Sequence, residues 1–401
     1  MFFNVIIHGK IFLNNEMKVF WIFLIFLCGA IINAEKSIPY MGQTSELIAV
    51  VVLFRHGDRA PLQSWPNDKY FEEKYWPNGL TQLTQKGIRR AHSLGQWFRK
   101  RYDAFLSEIY TSKEIYVWST DLDRTLMTAQ AVLNGLYPPK NFQVWNKRIP
   151  WQPIPVHTSQ RHKDDIVLDK RNCPKFRKLL KEAKKTFYPK LEQQYREIVQ
   201  IIREYSGWPT VTLDQVEQFR NQLYVFENYN ESFIPNWSKK IYPHPHLHYI
   251  ANIPLQVPTS TTALARLKIG PFFHKLFCHF ENFTCMSPLS KVGPKFLMLS
   301  CHDSCLISAM DAMKIFDFRN IGFSDTLIWE LKKSKQGHFF TNILYKHQDY
   351  NKKLEELKLN ECDFNCDYKS FKNIMNDVII HIDDWEKECY QDITFKNFTT
   401  T

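Results

Sequence analysis

The chain has 401 residues, 44% of them hydrophobic and 15% aromatic, with a net charge of +11 and a mean hydropathy of −0.37. Such a composition excludes a low-complexity or repeat protein and supplies apolar surface for one large core or two linked ones. The basic balance favours anionic substrates and surfaces without choosing among them.

Residues 1–34 read as a targeting segment. Met17 and Lys18 give a positive start, residues 19–32 are an uncharged apolar run, and Gly29, Ala30 and Ala34 are small. Cleavage is expected after Ala34 or Ala30. The run falls short of the ~20 residues that a membrane-spanning helix needs, so a signal peptide is favoured over an anchor. Residues 1–16 then form an upstream extension, and the start is either Met1 or Met17. No second stretch of spanning length follows and the C-terminus is polar, so a secreted protein without a membrane anchor is expected. Losing Lys10, Lys18 and Glu16 with the leader lowers the net charge by one. Sequons at Asn230, Asn236, Asn282 and Asn397 agree with a secreted glycoprotein.

Residues 47–54 form an apolar strand with no polar face, as strands of parallel sheets do. A helix is expected from Thr84, with Ile88, Ala91, Leu94 or Gly95, Phe98 and Tyr102 on one stripe and Arg89 and Arg90 opposite. Residues 114–118 give a second strand, followed by a helix over about 124–136 that Asp121 or Asp123 can cap. The proline-rich stretch 137–155 must be extended or looping. Between 173 and 286 the chain is charged and helix-patterned, and it is read as a helical insertion. The basic stretch 177–185 within it is a solvated helix face, because no nucleic-acid-binding motif accompanies it. A strand returns at 295–300, then a helix over 304–316, a hairpin from 326–331 and 339–345, and a last helix over 368–385. Strands alternating with helices predict an α/β fold, a doubly wound, mostly parallel sheet flanked by helices, with a smaller helical cap. The core is divided into residues 35–172 and 287–401, the cap lying between them.

Three junctions share one layout, a strand that ends in charged residues and turns into a helix. They are Arg55-His56-Gly57-Asp58-Arg59, Asp121-Leu122-Asp123-Arg124 and His302-Asp303. In open α/β sheets ligands bind beyond the carboxyl ends of the strands, where helix N-termini add donors suited to an anion. Any one of these motifs reads as an ordinary loop, salt bridge or capped helix. All three at strand-to-helix junctions of one pattern point instead to a rim where the arginines Arg55, Arg59 and Arg124 and the histidines His56 and His302 converge, which matches a phosphate with its several acceptor oxygens.

The stretches RHGDRAP, STDLDRTLMTAQ and CHD after an apolar strand, in this order and spacing, resemble the histidine acid phosphatase family. LTQLTQKG, WQPIPVHT and RNCPKF extend the likeness to its prostatic and lysosomal members, and the basic, anchorless form is similar to secreted insect venom-type members. The resemblance implies a metal-independent, cofactor-free acid phosphatase acting on small phosphomonoesters or phosphoproteins. It implies that His56 is the nucleophile, forming a phosphohistidine. Asp303 is then the acid that protonates the leaving alcohol, while Arg55, Arg59, Arg124 and His302 hold the phosphoryl oxygens. Neighbouring cations disfavour a protonated imidazole, so the arginines should keep His56 neutral in mild acid. Gly57 should allow a close approach and a tight turn.

The same likeness implies disulfides Cys173–Cys389 and Cys362–Cys366. A further family bridge falls near Val225 and Asp325, where this chain has no cysteine. Cys278 and Cys285 could pair instead, and Cys301 and Cys305 are expected to stay free. The segment holding Trp151 and His157 resembles a dimer contact and implies a homodimer. His244, His246 and His248 are read as a proline-broken loop rather than as metal ligands. Two alternatives remain: a phytase or inositol-polyphosphate phosphatase, and a non-catalytic secreted binding protein on the same fold.

Overall fold

Strand β1 (Ser45–Arg55) is buried on both faces, and its residues divide between two helical layers. Val50, Val52 and Phe54 pack into one core, and Ala49, Val51 and Leu53 into another. The structure is a computed structural model that describes residues 45–168, 171–284, 293–349 and 352–391. The expected leader, Asn397 and Cys285 lie outside the described residues.

Strands β2 (Ile115–Ser119) and β3 (Phe296–Cys301) complete a parallel trio with β1, and β3 lies between the other two. Beyond β1 come β4 (Thr326–Ser334) and β5 (Phe339–Lys346), the antiparallel hairpin that the sequence predicts. The short β6 (Glu355–Leu357) and β7 (Cys366–Asp367) both pair antiparallel with β5. The sheet is therefore mixed, and its parallel half carries the three charged junctions.

Helices α1 (Gln85–Arg101) and α2 (Asp123–Leu136) cover one face. They cross through glycines: a Cβ on Gly95 would sit 1.9 Å from the Val132 carbonyl oxygen. Thr84 caps α1 by accepting the Gly87 N–H, whereas neither Asp121 nor Asp123 caps α2, whose N-cap is Leu122.

Helices α3 (Pro174–Gln194), α4 (Arg196–Ser206), α5 (Leu213–Tyr229) and α6 (Pro245–Gln256) enclose a core of their own with the loop through Trp65 and Trp76. Helix α7 (Thr262–Thr284) packs on the second face of the sheet with α8 (Asp303–Ala312) and α9 (Tyr368–Ile374). The helical stretch expected over 173–286 thus divides, its last helix joining the sheet. Each large apolar side chain buried in these layers contributes about 1.5–3 kcal/mol.

Three local expectations need correction. The final helix is broken: α9 stops at Ile374, Val378 and Ile380 enter the core in a β-branched run that disfavours helix, and α10 (Ile382–Tyr390) restarts after His381 caps it. The helix expected to reach residue 316 ends at Ala312, and Lys314 beyond it is left-handed, with φ of 60°. The His244–His248 stretch begins α6, because Pro245 occupies the first helical turn, where a missing N–H is harmless.

The disulfides Cys173–Cys389 and Cys362–Cys366 are present. Cys301 and Cys305, expected to be free, are bonded to each other. The strand-to-helix turn brings their Cα atoms to 6.4 Å, so the bridge brackets His302 and Asp303. Cys278 is a free thiol.

Candidate active site

Register brings the junctions together. Arg55 pairs with Cys301 across β1 and β3, and Ser119 pairs with Ser300 across β2 and β3, so all three strands end at one level. Arg55, His56, Arg59, Arg124, His302 and Asp303 gather on that rim.

His56 is buried, and its backbone is held from both sides. Its N–H donates to the Cys301 carbonyl (2.9 Å), and its own carbonyl accepts from Ser324 N–H (3.2 Å). Its Nδ1 lies 2.8 Å from the Gly57 carbonyl oxygen. A carbonyl only accepts, so Nδ1 carries the proton and Nε2 keeps its lone pair. Burial lowers the His56 pKa well below the usual value, and the charges of Arg124, Arg55, Arg59 and His302 lower it further. A neutral imidazole with Nε2 as its basic atom is therefore maintained.

Gly57 works by close approach. A Cβ there would lie 2.6 Å from the Gly87 carbonyl oxygen at the start of α1, and a Cβ on Gly87 would lie 2.1 Å from the Asp58 oxygen. The Gly57 N–H donates to Thr128 Oγ1 at 3.0 Å, tying the loop to α2.

Arg55 donates from Nη1 to the Ile321 carbonyl at 2.5 Å, and its Nη2 lies 2.7 Å from Asp303 Oδ2. The Phe323 ring covers its guanidinium at 4.4 Å. Arg59 is buried, and desolvation with the nearby charges of Arg55 and Arg124 lowers its pKa to about 9, which leaves it protonated in mild acid. Arg124 stands on the first turn of α2. His302 Nε2 is 3.1 Å from Thr120 Oγ1 at the end of β2. Asp303 opens α8 and accepts the Ser304 N–H at 2.8 Å. Burial works to raise its pKa, but Arg55, Arg59 and His302 outweigh burial and hold the carboxyl below its ordinary range.

Several contributors escape the sequence reading. Arg90, expected to face solvent, donates to both carboxylate oxygens of the buried Asp58 at 2.7 and 3.2 Å and fixes the loop between Gly57 and Arg59. Glu217, Arg220 and Tyr224 form an i, i+3, i+7 stripe on α5 that faces the rim. Tyr224 lies 5.7 Å from the Arg55 guanidinium, and the buried Arg220 donates to Asn320 at 2.7 Å and Asn252 at 2.9 Å. The one signal for them in the sequence is two charges at helical spacing among the apolar Val216, Phe219, Leu223 and Phe226. Among the described residues no group of three or more His, Cys, Asp or Glu is arranged to hold a metal ion. Nor is any described helix long and apolar enough to cross a membrane.

Comparison with known proteins places the chain in a family. Residues 46–250 match the histidine phosphatase superfamily (branch 2). The chain is 32% identical over 358 residues to a lysosomal acid phosphatase of Xenopus laevis, covering 88% of this chain and 81% of that protein. It is 30% identical over 354 residues to a prostatic acid phosphatase of Rattus norvegicus, covering 87% and 90%. A Hafnia alvei phytase in complex with myo-inositol hexakis sulphate shares the fold, with a TM-score of 0.65 at 15% identity over 84% of this chain and 98% of that one. Strands β1 and β2 with their charged junctions lie within the family match, while β3 and His302-Asp303 lie beyond it; the chain belongs to the histidine phosphatase superfamily, branch 2.

Proposed function

We propose that this chain is a secreted acid phosphatase that hydrolyses phosphate monoesters through a phosphohistidine intermediate. The observation that carries this reading is a neutral His56, with Nε2 as its basic atom, set among Arg55, Arg59 and Arg124 beside Asp303. The buried Nε–H groups of Arg55 and Arg59 meet no acceptor among the described residues, which suits a ligand with several acceptor oxygens. Nε2 attacks phosphorus, and the bond from phosphorus to the ester oxygen breaks as the P–N bond forms. Asp303 gives its proton to the departing oxygen. A water then attacks phosphorus, Asp303 takes its proton, and the P–N bond breaks to release phosphate and restore neutral His56. The arginines and His302 hold the phosphoryl oxygens throughout, and charge stabilisation with in-line positioning supplies most of the acceleration.

The phytase reading draws support from fold alone, since those likenesses are far below 25% identity. The exposed Asn230, Asn236 and Asn282 are open to glycans. Trp151, 42% exposed, and Trp145, 56% exposed and donating its indole N–H to the Trp151 carbonyl, form an apolar surface at the start of the Trp151–His157 segment suited to a second copy, which sedimentation at two concentrations would test. We take α3 to α6 as the cap.

Release of p-nitrophenol from p-nitrophenyl phosphate between about pH 4 and 8, with chelator present, tests the function. Chelator-resistant acid activity that disappears in His56→Ala supports it. Folded wild-type protein without activity overturns it.

A further inference from the structure

Glu217 has no place in the chemistry above. It stands on α5, half-buried, one turn before Arg220 and two before Tyr224, whose ring lies over Arg55. Helical spacing puts the three on one face. Arg220 donates to Asn320 and Asn252 rather than to Glu217, and its buried Nε–H meets no acceptor among the described residues. The Glu217 carboxylate itself is engaged by no hydrogen bond or ion pair among the described residues; its surroundings act on it through burial and through charge at a distance. Those charges are Arg220 on its own helix, Arg55 and Arg59 from the end of β1, and Asp303 from the start of α8. The Tyr188 hydroxyl on α3 is a further neighbour.

In-line attack by His56 puts the leaving oxygen on the side of phosphorus away from Nε2, beside Asp303. A substituent on that alcohol projects from the strand ends toward α5. We propose, on the basis of the phosphatase reading, that Glu217 is a specificity-determining residue. Its carboxylate favours phosphate monoesters whose alcohol carries a cationic group and disfavours alcohols that carry further phosphates.

The preference should depend on pH. Burial pushes the Glu217 carboxyl up to about 7, against the opposing pull of Arg220, Arg59 and Arg55. Ionised above that value, Glu217 discriminates; protonated in acid, it does not.

Phosphocholine and its uncharged isostere 3,3-dimethylbutyl phosphate separate charge from shape. Their ratio of kcat/KM would be measured at about pH 5 and about pH 7.5 for wild type, Glu217→Gln and Glu217→Asp. The expected wild-type ratio is about tenfold in favour of the cation at the higher pH, as a single partly screened charge pair would give, and close to one at the lower pH. Glu217→Gln should give a ratio near one at both, and Glu217→Asp should restore the preference. Because both esters are assayed on one sample, a loss of folded protein cancels from the ratio. A preference that survives in Glu217→Gln, or that is absent from active wild type at the higher pH, overturns the proposal and leaves the phosphatase reading standing. Folded wild type that hydrolyses neither ester overturns both.

Discussion

Asp303 Oδ2 and Arg55 Nη2 are 2.7 Å apart, so the group assigned to protonate the leaving alcohol faces the strongest agent keeping it ionised. A phosphoryl group seated among the same arginines draws their charge onto its own oxygens and releases Asp303 toward its acid form. Binding of an oxyanion should therefore take up a proton. Sulfate, which does not itself titrate there, would be bound at about pH 5 in buffers of different ionisation enthalpy. Glu217, with a pKa near 7, is already protonated at that pH. Uptake is expected to be smaller in Asp303→Asn than in wild type, because His56, depressed by the same arginines, still responds there; equal uptake in the two would show that Asp303 is not a responding group.

Replacing Arg124 by alanine removes the largest charge that depresses His56. The acid limb of kcat/KM, which reports the free enzyme, should move to higher pH. The rate should fall by about 10²- to 10³-fold, as when one positioned donor is lost. A fall in rate with no movement of the limb would mean that Arg124 does not set the His56 pKa.

The same depression has a sign for stability. His56 binds protons less readily when folded, so the unfolded chain gains protons first as pH drops below about 6.5. Stability conferred by the neutral imidazole is thus present above that pH and is lost on acidification toward the folded value. His56→Ala should lose less stability than wild type between about pH 6.5 and 5, measured by urea midpoints. Parallel losses would contradict a depressed His56.

Glycine substitutions should separate by contact. A Cβ on Gly95 meets the Val132 carbonyl oxygen at 1.9 Å, whereas one on Gly337 meets nothing within 4 Å and is strained only by its φ of 88°. Gly95→Ala should destabilise by about 3 kcal/mol or more, as overpacking does, and Gly337→Ala by about 1 kcal/mol. Gly57→Ala should lose activity as well, because its clash is with the start of α1 beside His56, the proposed nucleophile. Thermal melts and specific activities of the three distinguish these outcomes.

Removing Cys173–Cys389, which spans 216 positions, should cost about 5 kcal/mol by chain entropy. Removing Cys301–Cys305, which spans four, should cost about 2 kcal/mol. The second pair brackets His302 and Asp303, so Cys301→Ser with Cys305→Ser should lower kcat beyond what its melting temperature explains. Full activity in that double variant would show that β3 and α8 position the dyad unaided.

The strand ends were legible because the information is local: an apolar run such as residues 47–54 has to stop where Arg55 begins, and Thr84 announces α1. What escaped is information about partners distant in sequence. Asp58 and Arg90 stand 32 positions apart, and Arg90 looks like a solvated helix residue until Asp58 is brought under it. Arg220 and Glu217 acquire meaning only when α5 is laid over β1, which the sequence between them does not encode. The broken last helix turned on a contest between helical periodicity and the β-branched Val378-Ile379-Ile380, which burial decided.

The placement of His56, the proposed nucleophile, has an evolutionary consequence. His56 is fixed by main-chain bonds to Cys301 and Ser324, and its ring by a main-chain carbonyl at Gly57. Bonds of that kind survive side-chain replacement, so its position depends on the sheet rather than on the identity of its neighbours. Sequence drift can therefore rework α5 and the loops facing it while His56 stays where the strands put it.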